Sequence, residues 1–234
     1  MFKIILNILN PIFNFFLKKL KFIRSFSQEG EDLIIDRIFK KNNILYKEIY
    51  YLDIGAGHPI KYSNTFYFYI RGAKGISIDA FKKNIQLHKI FRPVDISLNL
   101  LIGNENKLIN YYYFSQSELN TTSQERIEEL KKHNIFSNNT NIVDQTSVRT
   151  LFEKILKKEA SKVNFFNIDI EGGEPEVLNN IDWEIFKPNI ICAEIISDNM
   201  RQVYEHDTYK LLISKGYEVY SKLYNSVIFK KNLN

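Results

Sequence analysis

The chain has 234 residues, 44% of them hydrophobic and 25% charged, a balance that fits one globular domain and excludes a disordered or fibrous protein. A single cysteine, Cys192, excludes an intrachain disulfide and a cysteine-based zinc site, and it suits a reducing, cytoplasmic compartment. The formal net charge is +5, yet Lys3, Lys18, Lys19, Lys21 and Arg24 all fall in the first 24 residues, which hold no acid, so residues 25–234 are close to neutral and carry no nucleic-acid footprint.

Residues 1–24 read as a basic amphipathic segment ahead of one domain over residues 25–234. The apolar stretch 2–17 is interrupted by Lys3, Asn7, Asn10, Pro11 and Asn14, and it falls short of the roughly 18 apolar residues a spanning helix needs. Basic residues follow it where a leader peptide would place a small-residue cleavage site. Ile12, Phe16, Leu20 and Ile23 can share one helical face, with Lys18, Lys21 and Arg24 near its edges. Such a face suits packing on the domain, packing on a second subunit in a homo-oligomer, or peripheral contact with an anionic membrane on its inner side.

Beyond this segment strand-like and helix-like stretches alternate, which predicts a largely parallel sheet with helices on both faces. Residues 32–39 have helical spacing and residues 49–54 form the first apolar strand. Strands at 75–79 and 95–102 follow, then an added strand at 108–114. Residues 147–158 read as a helix and 163–169 as a buried strand ending in a carboxylate. A helix starts near Pro175, since proline is tolerated in a first turn. Residues 190–195 are the next apolar strand, and residues 207–215 a helix stopped by Gly216. Residues 217–220 and 226–229 close the domain as a strand pair.

Tyr51-Leu52-Asp53-Ile54-Gly55-Ala56-Gly57-His58-Pro59 puts an acid and a small-residue turn at the end of a buried strand, where a ligand can approach the backbone closely. Asp79 ends the next strand, 26 positions after Asp53, where a Rossmann-like sheet places an acid for a ribose diol. Ile60 stands where a dinucleotide fingerprint has its third glycine, and Asp53 would repel a pyrophosphate. A sulfonium cofactor fits both facts. No Gly-x-x-x-x-Gly-Lys-Ser/Thr loop is present.

Several motifs occur in one order: Ser27-Gln28-Glu29-Gly30-Glu31-Asp32, the stretch from Asp53 to Tyr62-Ser63-Asn64-Thr65, Arg92-Pro93-Val94-Asp95, Leu119-Asn120-Thr121-Thr122-Ser123, Asp169-Ile170-Glu171-Gly172 and Asn225-Ser226-Val227-Ile228-Phe229. This order, over residues 25–229, resembles FkbM-type methyltransferases. The resemblance implies an α/β, Rossmann-like class I methyltransferase fold with a mainly parallel seven-stranded sheet whose last strand is antiparallel. It also implies S-adenosyl-L-methionine as cofactor and O-methylation of carbohydrate or natural-product hydroxyls. Gly57 departs from the family, which commonly has Asn there. Carried over by motif, Asp53, Gly55 and Gly57 approach the methionine part of the cofactor and Asp79 its ribose. Ser63 and Asn64 bind its carboxylate or fix the turn, and Gln28 reaches the pocket from the N-terminal side. Asp95 and Asn99 lie where a third strand approaches adenine, or cap a strand.

Methyl transfer to a hydroxyl needs alignment and a group to take the proton. Asp169 and Glu171 lie two residues apart at a strand end, beside Gly172-Gly173, so they can converge on one pocket. Asp169, Glu171, Glu194 and His206 are the candidate catalytic residues, whereas Glu174 and Glu176 around Pro175 read as helix N-terminal charges. No spacing specifies a metal; an acid cluster holding a divalent cation is the alternative way to acidify a hydroxyl. The expected acceptor is a small molecule or glycan bearing a sugar hydroxyl. The alternatives are an amine or carboxyl acceptor, or a non-catalytic module of a membrane-associated glycan-assembly complex.

Overall fold

The computed structural model describes residues 24–231, so the expected basic segment lies outside the described residues except for Arg24. Helix α1 (Glu31–Lys41) turns Ile35, Ile38 and Phe39 into the core and leads to β1 (Tyr50–Ile54). A short helix α2 (Phe66–Tyr69), strand β2 (Lys74–Asp79), helix α3 (Lys82–Phe91) and strand β3 (Ile96–Asn99) complete the first half. The chain then leaves the sheet through β4 (Leu101–Gly103), β5 (Lys107–Tyr113), helix α4 (Gln124–Lys132) and β6 (Asn139–Ser147). A helical turn α5 (Val148–Thr150), continued by a π-turn over Leu151–Leu156, brings it back to β7 (Phe165–Ile168). Helix α6 (Glu174–Asn179), β8 (Ile190–Glu194), helices α7 (Met200–Glu205) and α8 (Asp207–Ser214), β9 (Tyr217–Lys222) and β10 (Ser226–Lys231) follow.

Seven strands form one sheet in the order β3-β2-β1-β7-β8-β10-β9. The contacts from β3 to β8 are all parallel, and β10 runs antiparallel between β8 and β9. This is the fold class expected from the motif order. The central strands β1, β7 and β8 are almost wholly buried, which a sheet covered on both faces requires of its apolar runs. One face packs Leu52, Ile54, Phe166 and Ile168 against Val177, Trp183, Phe186 and Leu212. The other packs Tyr51, Phe165 and Ile228 against Ile35, Phe39 and Phe68.

Several elements depart from the expectation, and helices α2, α3, α4 and α7 were not among the expected ones. The strand expected over 95–102 is two strands: β3 pairs with β2, and after Leu100 the chain crosses into a second, three-stranded sheet of order β4-β6-β5. Strand β6 was hidden because its sequence is polar and largely exposed. The helix expected at 147–158 is a single α-turn that loosens into the π-turn, with Lys157 at a φ of 49° ending it. Among the described residues no helix is long and apolar enough to cross a membrane.

Candidate active site

Strand order reverses between β1 and β7, whose neighbours lie on opposite sides, and open α/β sheets gather ligands in the crevice beyond such a point. Here that crevice is a cavity of about 470 Å³, within the range of ligand pockets. One wall is the turn Gly55-Ala56-Gly57-His58 with Asp79, Ala80 and Asn84; the floor is Asp169, Glu171 and Glu194; the opposite wall is Gln116, Ser117, Asn120, Thr121, Thr122 and Arg126 from the excursion between β4 and β6.

The turn is as tight as two strand ends allow. Gly55 has a φ of 80°, and a Cβ on it would sit 1.6 Å from the carbonyl oxygen of Asp169, so no other residue fits. The backbone N–H groups of Gly55 and Ala56 donate to Ile78 O, at 2.9 and 3.0 Å. Gly57 N donates to Oδ2 of Asp79 at 2.8 Å, Asn84 Nδ2 donates to the same oxygen at 3.2 Å, and Phe81 N donates to Oδ1 at 2.6 Å. A carboxylate has about four acceptor positions, so Asp79 keeps one for a ligand hydroxyl. Burial lifts its pKa to about 6 against these three donors.

The sequence-predicted residues divide sharply. Gln28, Gly55, Gly57, Asp79, Asp169, Glu171 and Glu194 meet in the cavity. Asp53 does not line it: it is fully buried, accepts from Thr65 Oγ1 at 2.6 Å and from Asn167 Nδ2 at 2.8 Å, and turns away from the cavity. Ser63 is also buried, and its Oγ accepts from the amides of Thr65 and Phe66 and from Arg92. Asn64 Nδ2 donates to Asn167 Oδ1 at 2.8 Å and borders a small polar recess shared with Gln28, Asp169 and Glu194. Asp95 accepts from Tyr51 Oη at 2.6 Å and Gly75 N at 2.9 Å, away from the cavity wall. Asn99 spends its amide on the carbonyls of Asp79 and Ala80. His206 lies off the wall too; its Nδ1 accepts from Thr208 N at 3.3 Å, which caps α8. The fold claims these side chains for the scaffold.

The floor is strongly acidic. Asp169, Glu174 and Glu194 bring carboxylate oxygens within 4.8 Å of one another. Glu174 is buried and accepts from Ile170 N at 2.6 Å and Gly172 N at 3.1 Å, which fixes the loop after β7, as a charge at a helix start should. No described residue hydrogen-bonds the Asp169 carboxylate. Burial first, and then the neighbouring charge of Glu171, raise its pKa to about 8. Burial likewise raises Glu171 and Glu194, with Arg126 opposing in both. These groups cannot all ionise side by side in a low-dielectric floor. Glu171 adopts a left-handed φ of 58°, a conformation that costs about 1 kcal/mol or more for a non-glycine residue. Two contacts hold it there: Arg126 Nε lies 3.2 Å from its carboxylate, and Thr121 Oγ1 donates to its carbonyl at 3.1 Å.

Sequence reasoning assigned no role to Asn84, His88, Arg92, Tyr111 or Arg126. Arg92 and Thr121 stood in quoted motifs, which was the signal available. Arg126 was signalled only by the N-cap Ser123, whose Oγ accepts from Arg126 N and starts α4.

The structure of monomeric WbdD is 13% identical, with a TM-score of 0.45 over 89% of this chain. The chain spans 42% of that protein's length. The TehB-like SAM-dependent methyltransferase from Corynebacterium glutamicum is 11% identical, with a TM-score of 0.44, over 87% of this chain and 88% of that one. The methyltransferase FkbM from Methylobacillus flagellatus is 12% identical, with a TM-score of 0.43, over 80% of this chain and 48% of that one. No curated protein matches by sequence. The family model of the methyltransferase FkbM domain matches residues 53–219, a span that holds both walls of the cavity and its acidic floor, and the chain belongs to the FkbM methyltransferase family.

Proposed function

We propose that the protein is an S-adenosylmethionine-dependent O-methyltransferase acting on a hydroxyl of a sugar, sugar nucleotide or surface glycan. One observation carries this: a single cavity has a glycine turn with Asp79 on one side, a wall of hydroxyl and amide side chains on the other, and Asp169 between them without a hydrogen-bond partner among the described residues. The donor set fits the cofactor. Gly55 leaves the backbone bare where the ligand approaches, Asp79 retains an acceptor position for a ribose hydroxyl, and the acidic floor suits a positive charge. When bound, S-adenosylmethionine supplies an electrophilic methyl group.

The chain's own contribution is to hold, orient and deprotonate. Asp79, already fixed by three donors, cannot rotate away from the ribose position. Gln116, Asn120, Thr121 and Thr122 offer the hydrogen bonds that a polyol needs as it leaves water. Asp169 is placed to take the proton that an acceptor hydroxyl would lose on methylation, and the raised pKa brings it close to the range in which a carboxylate is an effective base. Burial and the neighbouring charge of Glu171 set that range. The same acidic floor also suits an acceptor bearing an ammonium group, so amines belong in the test.

Mass spectrometry of reactions with S-adenosylmethionine and a panel of sugar nucleotides, free sugars, amino sugars and glycan fragments tests the proposal. A methylated hydroxyl product is expected. Methylation of an amine or carboxyl alone would overturn the acceptor assignment. Cofactor binding with no product from any acceptor would favour a non-catalytic module of a glycan-assembly complex.

A further inference from the structure

Helix α3 places polar side chains where a helix on this sheet should present apolar ones. Asn84 and His88 are four residues apart, so they lie on one face, and Arg92 follows four residues on as the C-cap. Their relative exposures are 6%, 0% and 0%. Polar groups so deeply buried are costly without partners; those of His88 and Arg92 lie in residues 57–65 and Asn84 reaches the same turn through Asp79, while His88 Nδ1 has no partner among the described residues. Asn84 donates to Asp79 Oδ2 at 3.2 Å. His88 Nε2 lies 3.2 Å from Gly57 O. Arg92 donates from Nε to Pro59 O at 2.8 Å, from Nη1 to Thr65 Oγ1 at 2.8 Å, and from Nη2 to Ser63 Oγ at 2.5 Å.

We infer that this polar stripe is the positioning element of the cofactor turn, holding residues 55–65 in the receiving shape through Asn84, His88 and Arg92; the inference rests on the cofactor assignment above. Gly57 shows how the hold works. It has a left-handed φ of 56°, its carbonyl is met by His88 of α3, and its N–H is fixed by Asp79 at the end of β2, which Asn84 of α3 holds in turn. A carbonyl can only accept, so His88 carries a proton on Nε2. Burial, aided by the charge of Arg92, pushes its pKa down to about 3, which keeps that tautomer in place across ordinary pH. The charge of Arg92 is met by Asp95, 3.8 Å away, and by Asp53 through Thr65. Its guanidinium packs on the rings of Phe66 and Tyr69 at 5.3 and 5.7 Å. The fork of three bonds to three points of one loop is a geometry that lysine cannot copy. Asp53 and Ser63 thus act within this brace rather than on a ligand.

The test uses the full-length protein, with S-adenosylhomocysteine as probe in calorimetry and amide hydrogen exchange of the unliganded protein as a second readout. His88→Leu keeps bulk and removes the donor; His88→Gln keeps a neutral donor. His88→Leu is expected to weaken probe binding about tenfold or more and to speed exchange in residues 55–65, while His88→Gln recovers most of both. Arg92→Lys is expected to act in the same direction as His88→Leu. Leu212→Ala, a buried core substitution on α8, serves as the stability control, expected to lower the unfolding midpoint without altering probe affinity. If the wild-type protein fails to bind the probe, the cofactor assignment itself falls. If the wild type binds and folded His88→Leu binds equally well, or if Leu212→Ala loses affinity alike, the positioning role is overturned.

Discussion

The guanidinium Nε of Arg126 lies 3.2 Å from the carboxylate of Glu171, joining a helix of the excursion to the loop that follows β7. Both side chains are partly shielded from water, at 19% and 16% exposure, so the pair is screened less than a surface one. Arg126→Ala should release Glu171 from its left-handed conformation and loosen the polar wall against the acidic floor. The expected result is a loss of about tenfold in kcat/KM for the acceptor, with cofactor affinity within about twofold of wild type. Steady-state kinetics against each substrate separately, beside cofactor calorimetry, checks this. An effect confined to cofactor binding would move Arg126 to the other half of the site.

Asp79→Ala removes the acceptor of three hydrogen bonds at once, those from Gly57, Phe81 and Asn84. A hydrogen bond to a charged group contributes about 1.5–3 kcal/mol, so affinity for S-adenosylmethionine and its demethylated product should fall roughly tenfold or more. Asp79→Asn should lie between the two, since its amide can accept at one atom only. Unchanged affinity in a folded Asp79→Ala protein would remove the ribose assignment.

For Asp169 function and stability should move in opposite directions. Its folded pKa, about 8, lies above the ordinary 3.8. Between those values the folded state binds more protons than the unfolded one, so this carboxyl's contribution to stability is present near pH 4 and is lost as pH rises towards 8. Asp169→Asn should flatten that slope and raise the unfolding midpoint of the unliganded protein at pH 8; each kcal/mol gained corresponds to roughly 2–4 °C for a domain of this size. Turnover should fall by about 10² or more, the usual scale for losing a general base. In the wild-type enzyme kcat/KM should rise with pH through the same range. A destabilised Asp169→Asn protein, or one with near-normal turnover, would refute this assignment.

The Asp169, Glu174 and Glu194 cluster has the spacing of a cation site. Glu174, however, does not line the cavity, and each of its oxygens already accepts an amide, from Ile170 and Gly172. Stripping the enzyme with a chelator should therefore leave turnover unchanged. A rate that collapses on stripping and returns with a divalent cation would make Asp169 a metal ligand rather than a base.

What the sequence disclosed followed the strength of its apolar runs. Residues 163–169 and 190–195 are buried on both faces, so their identity and position were plain. Asp79 and the glycine turn were legible because an acid and bare backbone at successive strand ends have few other uses. The direction in which Asp53 points was not legible, because Thr65 and Asn167 compete with a ligand for its oxygens and Asn167 arrives from a distant part of the chain. Helix α3 escaped notice for a related reason: Asn84 and His88 interrupt its buried face with polar residues, so its apolar period is broken. Asp169 and His206 were both candidate bases, Asp169 the stronger because it follows an apolar strand, and the end of β7 against the cap of α8 separates them.

Strands β4 and β6 run side by side in parallel, with Leu101 opposite Gln145 and Gly103 opposite Ser147. The excursion therefore departs and returns at neighbouring points, and among the described residues none of its strands is hydrogen-bonded to a strand of the seven-stranded sheet. Residues 104–144 can be lengthened, shortened or grafted from a relative while every rung of the main ladder stays in place. On the proposed division of the cavity, a change of acceptor preference amounts to exchanging one contiguous stretch while Gly55, Gly57 and Asp79 stay in place.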